Sequence, residues 1–355
     1  MTMTDTPDVN KSLLHDLSLT ARKTLTTDVQ DLLEGVYGLS EKGAFTPAEK
    51  IPAIREDPEV AETRWLLEQL FADETASGMS APEAYRRLVK EVSFTWTNRL
   101  VALRMMEVRG LIRKSLEGQA DSNGFLRWSV AAEQKAIKQD MGDLSLNSRG
   151  ETGRDRAYRL FLLSLCRDIA GEIAVLFDPE NLSSRLFPRP PALKTLIGLL
   201  TNPELDGSWQ AEETIGWVYQ YFNEEEKAAV FDRLYKQKKK IQAEDIPAAT
   251  QLFTPRWIVK YLVQNTLGRQ WVQMHPDTKL VEYLDYLVPL QGEVPPVPMK
   301  LIRELTLLDP ACGTMHFGLV AFDLFTRMYE EELEKAGTAG WPVSPSVTKK
   351  EDIPA

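Results

Sequence analysis

The sequence predicts a mainly α-helical N-terminal domain followed by the beginning of an α/β domain. Two observations support this. From residue 11 to about residue 245, apolar side chains recur at three- and four-residue spacing between Pro and Gly stops, the pattern of helices packed on a core. Then Leu305 to Leu308 runs into Asp309-Pro310-Ala311-Cys312-Gly313-Thr314-Met315-His316, and a new amphipathic stretch begins at Phe317. A buried strand, a tight loop and a helix N-terminus in that order are how open α/β sheets hold a nucleotide-like ligand. The composition changes near Ala243 to Ala249, which divides the chain into 1–245 and 246–355.

Taken in order, Asp28 to Tyr37 is a short amphipathic helix stopped by Gly38. Pro58 opens a helix over Glu59 to Phe71, with Val60, Trp65, Leu67 and Leu70 at helical spacing. Pro82 opens another, with Tyr85, Leu88 and Val92, continuing through Trp96, and Trp96 to Leu116 is a longer mixed segment. Arg154 to Phe177 is the most apolar helix and the expected centre of the core. Prolines 179, 188, 190 and 191 then break the pattern before a short helix over Leu193 to Leu200. Trp209 to Phe222 and Glu224 to Lys240 follow, the latter ending in the cationic turn Lys236 to Lys240. In the second part, Thr254 is placed as an N-cap and Pro255 as the first residue of a helix through Ile258, Tyr261 and Leu262 to Gly268. Val294 to Pro298 is a proline-rich loop, and a helix from Phe317 to Lys335 ends at Gly337.

Composition excludes several classes. At 355 residues with a net charge of −10, the chain is not a nucleic-acid binder whose whole surface is positive, although a local basic patch stays open. The longest apolar stretch, Tyr158 to Phe177, is interrupted by Arg159, Arg167, Asp168 and Glu172, so no membrane span is expected. Met1 to Asn10 is polar and acidic, unlike a secretory signal, and a cytoplasmic location is the default. Two distant cysteines and three scattered histidines form no metal-ligand spacing, so no metal site is expected.

Each residue type in the Asp309 loop has a physical role. An acid at the carboxyl end of a strand can accept a hydrogen bond from an ammonium group or orient the loop. Gly313 lets backbone and ligand approach closely, and the following helix turns free N–H groups and its positive end toward the loop. A tight turn without ligand is the competing reading. For Cys312 the competing reading is a small buried hydrophobe, and for His316 a structural residue. Phe253-Thr254-Pro255 by itself is a well-capped helix start. In order and distance, however, the two segments resemble the cofactor motifs of S-adenosylmethionine-dependent adenine-N6 DNA methyltransferases.

Longer phrases sharpen the resemblance. Phe94-Thr95-Trp96-Thr97-Asn98-Arg99-Leu100-Val101-Ala102-Leu103-Arg104, Ile215-Gly216-Trp217-Val218-Tyr219-Gln220-Tyr221-Phe222 and Gln251-Leu252-Phe253-Thr254-Pro255-Arg256-Trp257 are similar to the PglX-like methyltransferases of BREX phage-defence systems and the related adenine methylase of DISARM systems. The resemblance spans about residues 90 to 330. It implies a helical region feeding a Rossmann-like methyltransferase domain, and host-DNA adenine methylation that marks self. It also implies that Phe253, Thr254 and Pro255 line the methionine end of S-adenosylmethionine, while Asp309, Ala311, Cys312, Gly313 and Phe317 form the loop around it.

Two departures stand out. Gly313-Thr314-Met315 lacks the second glycine of the usual loop, so Met315 is expected to crowd the cofactor and weaken its binding. The 355 residues also contain no ribose-binding acid at a second strand end and no Asn/Asp-Pro-Pro-Tyr/Phe motif to hold a flipped base, so no catalytic residue is assigned. The expectation is an N-terminal segment of a larger enzyme, inactive alone. The alternatives are a non-catalytic DNA- or protein-binding subunit of a defence complex and a relative acting on RNA or protein. Duplex DNA, other defence proteins and the rest of the methyltransferase are the expected partners. For DNA contact, Arg99, Arg109 and Arg113 are placed on one helix face, with a solvated face as the alternative.

Overall fold

The computed structural model describes residues 9–131, 135–241, 245–250, 252–289 and 297–354. Part of the expected boundary (Ala243, Glu244), Gln251 and the loop as far as Pro296 lie outside them. Contacts divide the chain into two compact units, Met1–Gln251 and Leu252–Ala355.

Among the described residues the first unit is built from helices. Its long helix α1, Lys11–Gly35, buries Leu14, Leu17, Leu25, Val29 and Leu32 along one stripe. The stretch Asp28 to Tyr37 is therefore only the end of a longer helix, whose first half hides its apolar stripe among Ser, Thr and Lys. Helix α2, Pro58–Ala76, starts on Asp57, whose carboxylate accepts from the Glu59 N–H at 2.9 Å. Helix α3, Ala81–Val108, is continuous through Trp96 because no breaker interrupts it. It packs on α1, and so do α4, Pro190–Leu200, and α5, Thr214–Phe222.

The core thus centres on α1 and α3. The expected centre, Arg154 to Phe177, is instead two helices, Gly153–Ala170 and Ala174–Phe177, separated at Gly171 and Glu172. Pro190 and Pro191 open α4 rather than break it, as the first helical turn tolerates them. Trp209 to Phe222 is also split, since Ala211 is extended between Asp206–Gln210 and α5. The helix from Glu224 stops at Tyr235, and Lys236 to Lys240 follow it exposed to solvent.

In the second unit, helix α6, Arg256–Val263, runs through a π turn, Gln264–Gly268, into α7, Arg269–Met274. Gly268 therefore does not end the helix. Helix α8, His316–Lys335, packs on α6. Val259, Val263, Trp271, Leu324 and Met328 form the centre of this unit's core. Among the described residues no strand forms, and the isolated bridge Leu39–Phe45 is the β pairing present. Leu305 to Leu308 is not a buried strand: Leu307 is 45% and Leu308 87% exposed. A parallel strand is held by ladders to its neighbours and covered on both faces, and no neighbouring strand lies among the described residues. Among those residues no helix is long and apolar enough to cross a membrane.

Candidate cofactor site

The loop from Asp309 is built by local backbone chemistry. Asp309 Oδ1 accepts from the Ala311 N–H at 3.0 Å, closing a turn of the Asx type. The Met315 N–H donates to the Cys312 carbonyl at 2.8 Å and the Leu319 N–H to the Met315 carbonyl at 2.8 Å, which starts α8. Both Gly313 (φ +50°) and Met315 (φ +62°) are left-handed. Glycine adopts that conformation freely, whereas methionine does so at a cost of about 1–2 kcal/mol. The chain thus keeps a glycine-like backbone where its sequence has Met315.

Two buried carboxylates on α8 fix the approach to this loop. Glu332 accepts from the Ile302 N–H at 2.9 Å and from the Ser346 N–H at 2.5 Å, anchoring the turn that leads into Leu305. Glu331 accepts from Trp271 Nε1 at 3.0 Å, from the Lys279 N–H at 2.7 Å and from the Thr278 hydroxyl. The sequence offers only one signal for these roles, two acids on the inner side of an amphipathic helix.

Asp309 Oδ2 is buried and accepts no hydrogen bond among the described residues. Such an atom is costly unless something donates to it. Ala311, Cys312 and Gly313 are exposed around it, so Cys312 is not the buried hydrophobe of the competing reading. Phe317 is half-buried and packs against the core of the unit. From the other motif, the Phe253 ring stacks on the buried His316 ring, with centroids 4.5 Å apart and planes 11° from parallel. The two sequence segments therefore meet through His316, the residue read as structural. Thr254 and Pro255 are half-buried beside Phe253, and the N-cap is Pro255, not Thr254, whose side chain makes no capping bond.

The three arginines expected on a DNA-facing helix do not share a face. Arg99 is 1% exposed and donates to the carbonyls of Leu176 (2.7 Å) and Asp178 (3.2 Å) and to the Ser184 hydroxyl (2.8 Å). It ties α3 to a neighbouring segment and does not reach solvent. Helix α3 ends at Val108, so Arg109 is its C-cap and Arg113 lies beyond it, both exposed.

No family model matches the chain. Individual relatives do. The adenine-specific methyltransferase BrxX of Escherichia coli O9:H4 (strain HS) is 32% identical over 270 residues, 70% of this chain. The adenine-specific methyltransferase PglX of Lacticaseibacillus casei (strain Zhang) is 30% identical over 279 residues, also 70% of this chain. The chain is PglX-like. It spans 22% and 23% of the lengths of these two curated relatives. Relatedness to BREX-type adenine-specific methyltransferases therefore stands on the sequence match.

Proposed function

We propose that this chain supplies a helical unit and the cofactor-facing loop of a phage-defence adenine-N6 DNA methyltransferase. In that reading a methyl group passes from S-adenosylmethionine to the exocyclic amine of adenine in duplex DNA. The observation that carries it is Asp309: Oδ1 is held by Ala311, and Oδ2 is buried without a donor among the described residues, an acceptor suited to an ammonium group. Ala311, Cys312 and Gly313 would curve around the same end of the cofactor with Phe317 behind them, while Phe253, stacked on His316, would line it with Thr254 and Pro255. When bound, S-adenosylmethionine supplies the electrophilic methyl group. The residues of this chain bind and orient it.

Holding the adenine requires groups that the 355 residues do not contain, so transfer needs further polypeptide. A specific observation favours association with such a partner: Trp257, Tyr261, Leu262, Leu308 and Phe322 of the second unit are all exposed. The rest of the methyltransferase or another defence protein would cover them, and a non-catalytic assembly subunit is the second reading. Calorimetry with S-adenosylmethionine tests the cofactor reading directly. Weak binding abolished by Asp309→Ala is expected, whereas binding unaffected by Asp309→Ala and Gly313→Val would place the cofactor elsewhere.

A further inference from the structure

The first unit carries an open groove of about 640 Å³ beyond the C-terminal end of α3, between Gly110–Ile112, the helix Asn123–Ser129, and Phe161 and Leu165. Its floor is apolar and aromatic. Trp128 is half-exposed, backed by Phe125 (centroids 6.1 Å, planes 29°) and Phe161 (5.7 Å), so its ring is held in place before any ligand arrives. At Gly124 an added Cβ would lie 2.7 Å from the Lys114 carbonyl oxygen, which keeps the two walls close.

Charge separates this groove from the rest of an acidic chain. Arg113 and Arg127 line it, both are exposed, and neither guanidinium has an ion pair or hydrogen bond among the described residues. Among the described residues no carboxylate lines it. Nearby charges are already neutralised: Lys114 by Glu117 at 2.6 Å, and Arg154 by Asp121 at 2.5 Å. Arg109 donates to the carbonyls of Trp209 and Gln210, and no carboxylate among the described residues neutralises it. Guanidinium forks without partners beside a fixed aromatic ring are what a phosphate and an attached base require. A hydrated duplex backbone would leave the apolar walls uncovered, and an unstacked base would not.

We propose that this groove binds a nucleotide unit, with its base against Trp128 and its phosphate on Arg113 and Arg127. The unit comes either from a single strand of nucleic acid or from a free nucleotide. This rests on the DNA-directed part of the reading above but not on methyl transfer. The test therefore measures binding alone, and its failure leaves the cofactor reading standing.

The probes are a labelled twelve-nucleotide single strand, its blunt duplex, adenosine monophosphate and polyglutamate, each titrated against the 355-residue chain across a salt series. The strand is expected to bind. Arg113→Gln with Arg127→Gln should weaken it about tenfold and flatten the salt slope by roughly 1.4 for two lost single-strand contacts. Trp128→Ala should weaken it roughly tenfold without changing the slope, and Trp128→Leu, which keeps the packing, should do the same. Monophosphate binding as tight as the strand's identifies a free nucleotide as the source, and much weaker binding identifies the strand. The proposal is overturned if neither probe binds, if the arginine and Trp128 variants bind unchanged, or if polyglutamate or the duplex binds as well as the strand. Monophosphate binding lost with Asp309→Ala but kept in the groove variants would place the nucleotide at the loop and overturn it too.

Discussion

Met315 folds back over Gly318 so closely that a Cβ added at 318 would lie 2.6 Å from the Met315 Cε. The side chain that displaces the loop's second glycine is thus accommodated by a glycine one helical turn on. Met315→Gly removes a left-handed methionine worth about 1–2 kcal/mol of strain, offset by about 0.5–1 kcal/mol of added unfolded-chain entropy. Thermal unfolding should show unchanged or slightly raised stability, and calorimetry tighter S-adenosylmethionine binding. In that background Gly318→Ala should stabilise by up to about 1 kcal/mol through helix propensity, while in the parent it should gain less. Equal effects in both backgrounds would show that the two side chains are not coupled.

Arg99 should behave as a core residue. Arg99→Ala takes the arginine donor from the Leu176 carbonyl, leaves the Asp178 carbonyl with the Ser184 hydroxyl alone, and should lower the unfolding free energy by about 3 kcal/mol. Arg109→Ala and Arg113→Ala should stay within about 0.5 kcal/mol. Urea unfolding reads the contrast, and a loss under about 1 kcal/mol for Arg99→Ala would return that residue to the surface.

The chain incubated with labelled S-adenosylmethionine and adenine-rich duplex DNA should leave the DNA unlabelled, because no Asn/Asp-Pro-Pro-Tyr/Phe segment is present to hold the base. Labelling that disappears with Asp309→Ala would show that other residues of this chain do that work.

His275 is buried between Trp271 (centroids 4.4 Å) and Trp341 (4.0 Å, planes 14°). Burial lowers its pKa below the ordinary 6.5, while the Gly340 carbonyl, Glu331, Asp277 and Glu332 pull the other way. Above pH 6.5 both folded and unfolded chains carry a neutral ring, and stability is complete. As the pH falls below 6.5 the unfolded chain takes the proton first, so stability declines until the lower folded pKa is reached. Tryptophan-detected urea midpoints should fall between pH 7.5 and 5.5, and His275→Phe should flatten that part of the profile. An unchanged slope in the variant would assign the loss to other groups.

Much of the helical unit is legible because its apolar residues repeat between strong stops. Pro58 marks a true start, whereas Pro190 and Pro191, read as breaks, open a helix. The misses have physical causes. Residues 11–27 carry their stripe as Leu, Ala and Ser among polar neighbours, so the spacing shows only when the partner helices are known. Arg99 has the composition of a surface residue, and only tertiary carbonyls reveal its place inside. At the Asp309 loop, the residues announce a turn and a helix start, and both form. The apolar run before it announces a strand, but the sheet that would complete it is a property of neighbours, which a run of leucines does not contain. The meeting of Phe253 with His316 was equally invisible, since stacking across some sixty residues leaves no periodic trace.

The exposed run Thr306-Leu307-Leu308 has a consequence for handling the chain. A solvent-facing apolar segment whose backbone N–H and C=O groups are unpaired among the described residues is a template for pairing with another copy. Its flanks oppose this, since Arg303 and Glu304 precede it and Asp309-Pro310 follow, charges and a proline that resist extension of a cross-strand ladder. Self-association of the chain should therefore start at these three residues, grow with ionic strength as the flanking charges are screened, and recede when Leu308 is replaced by Lys.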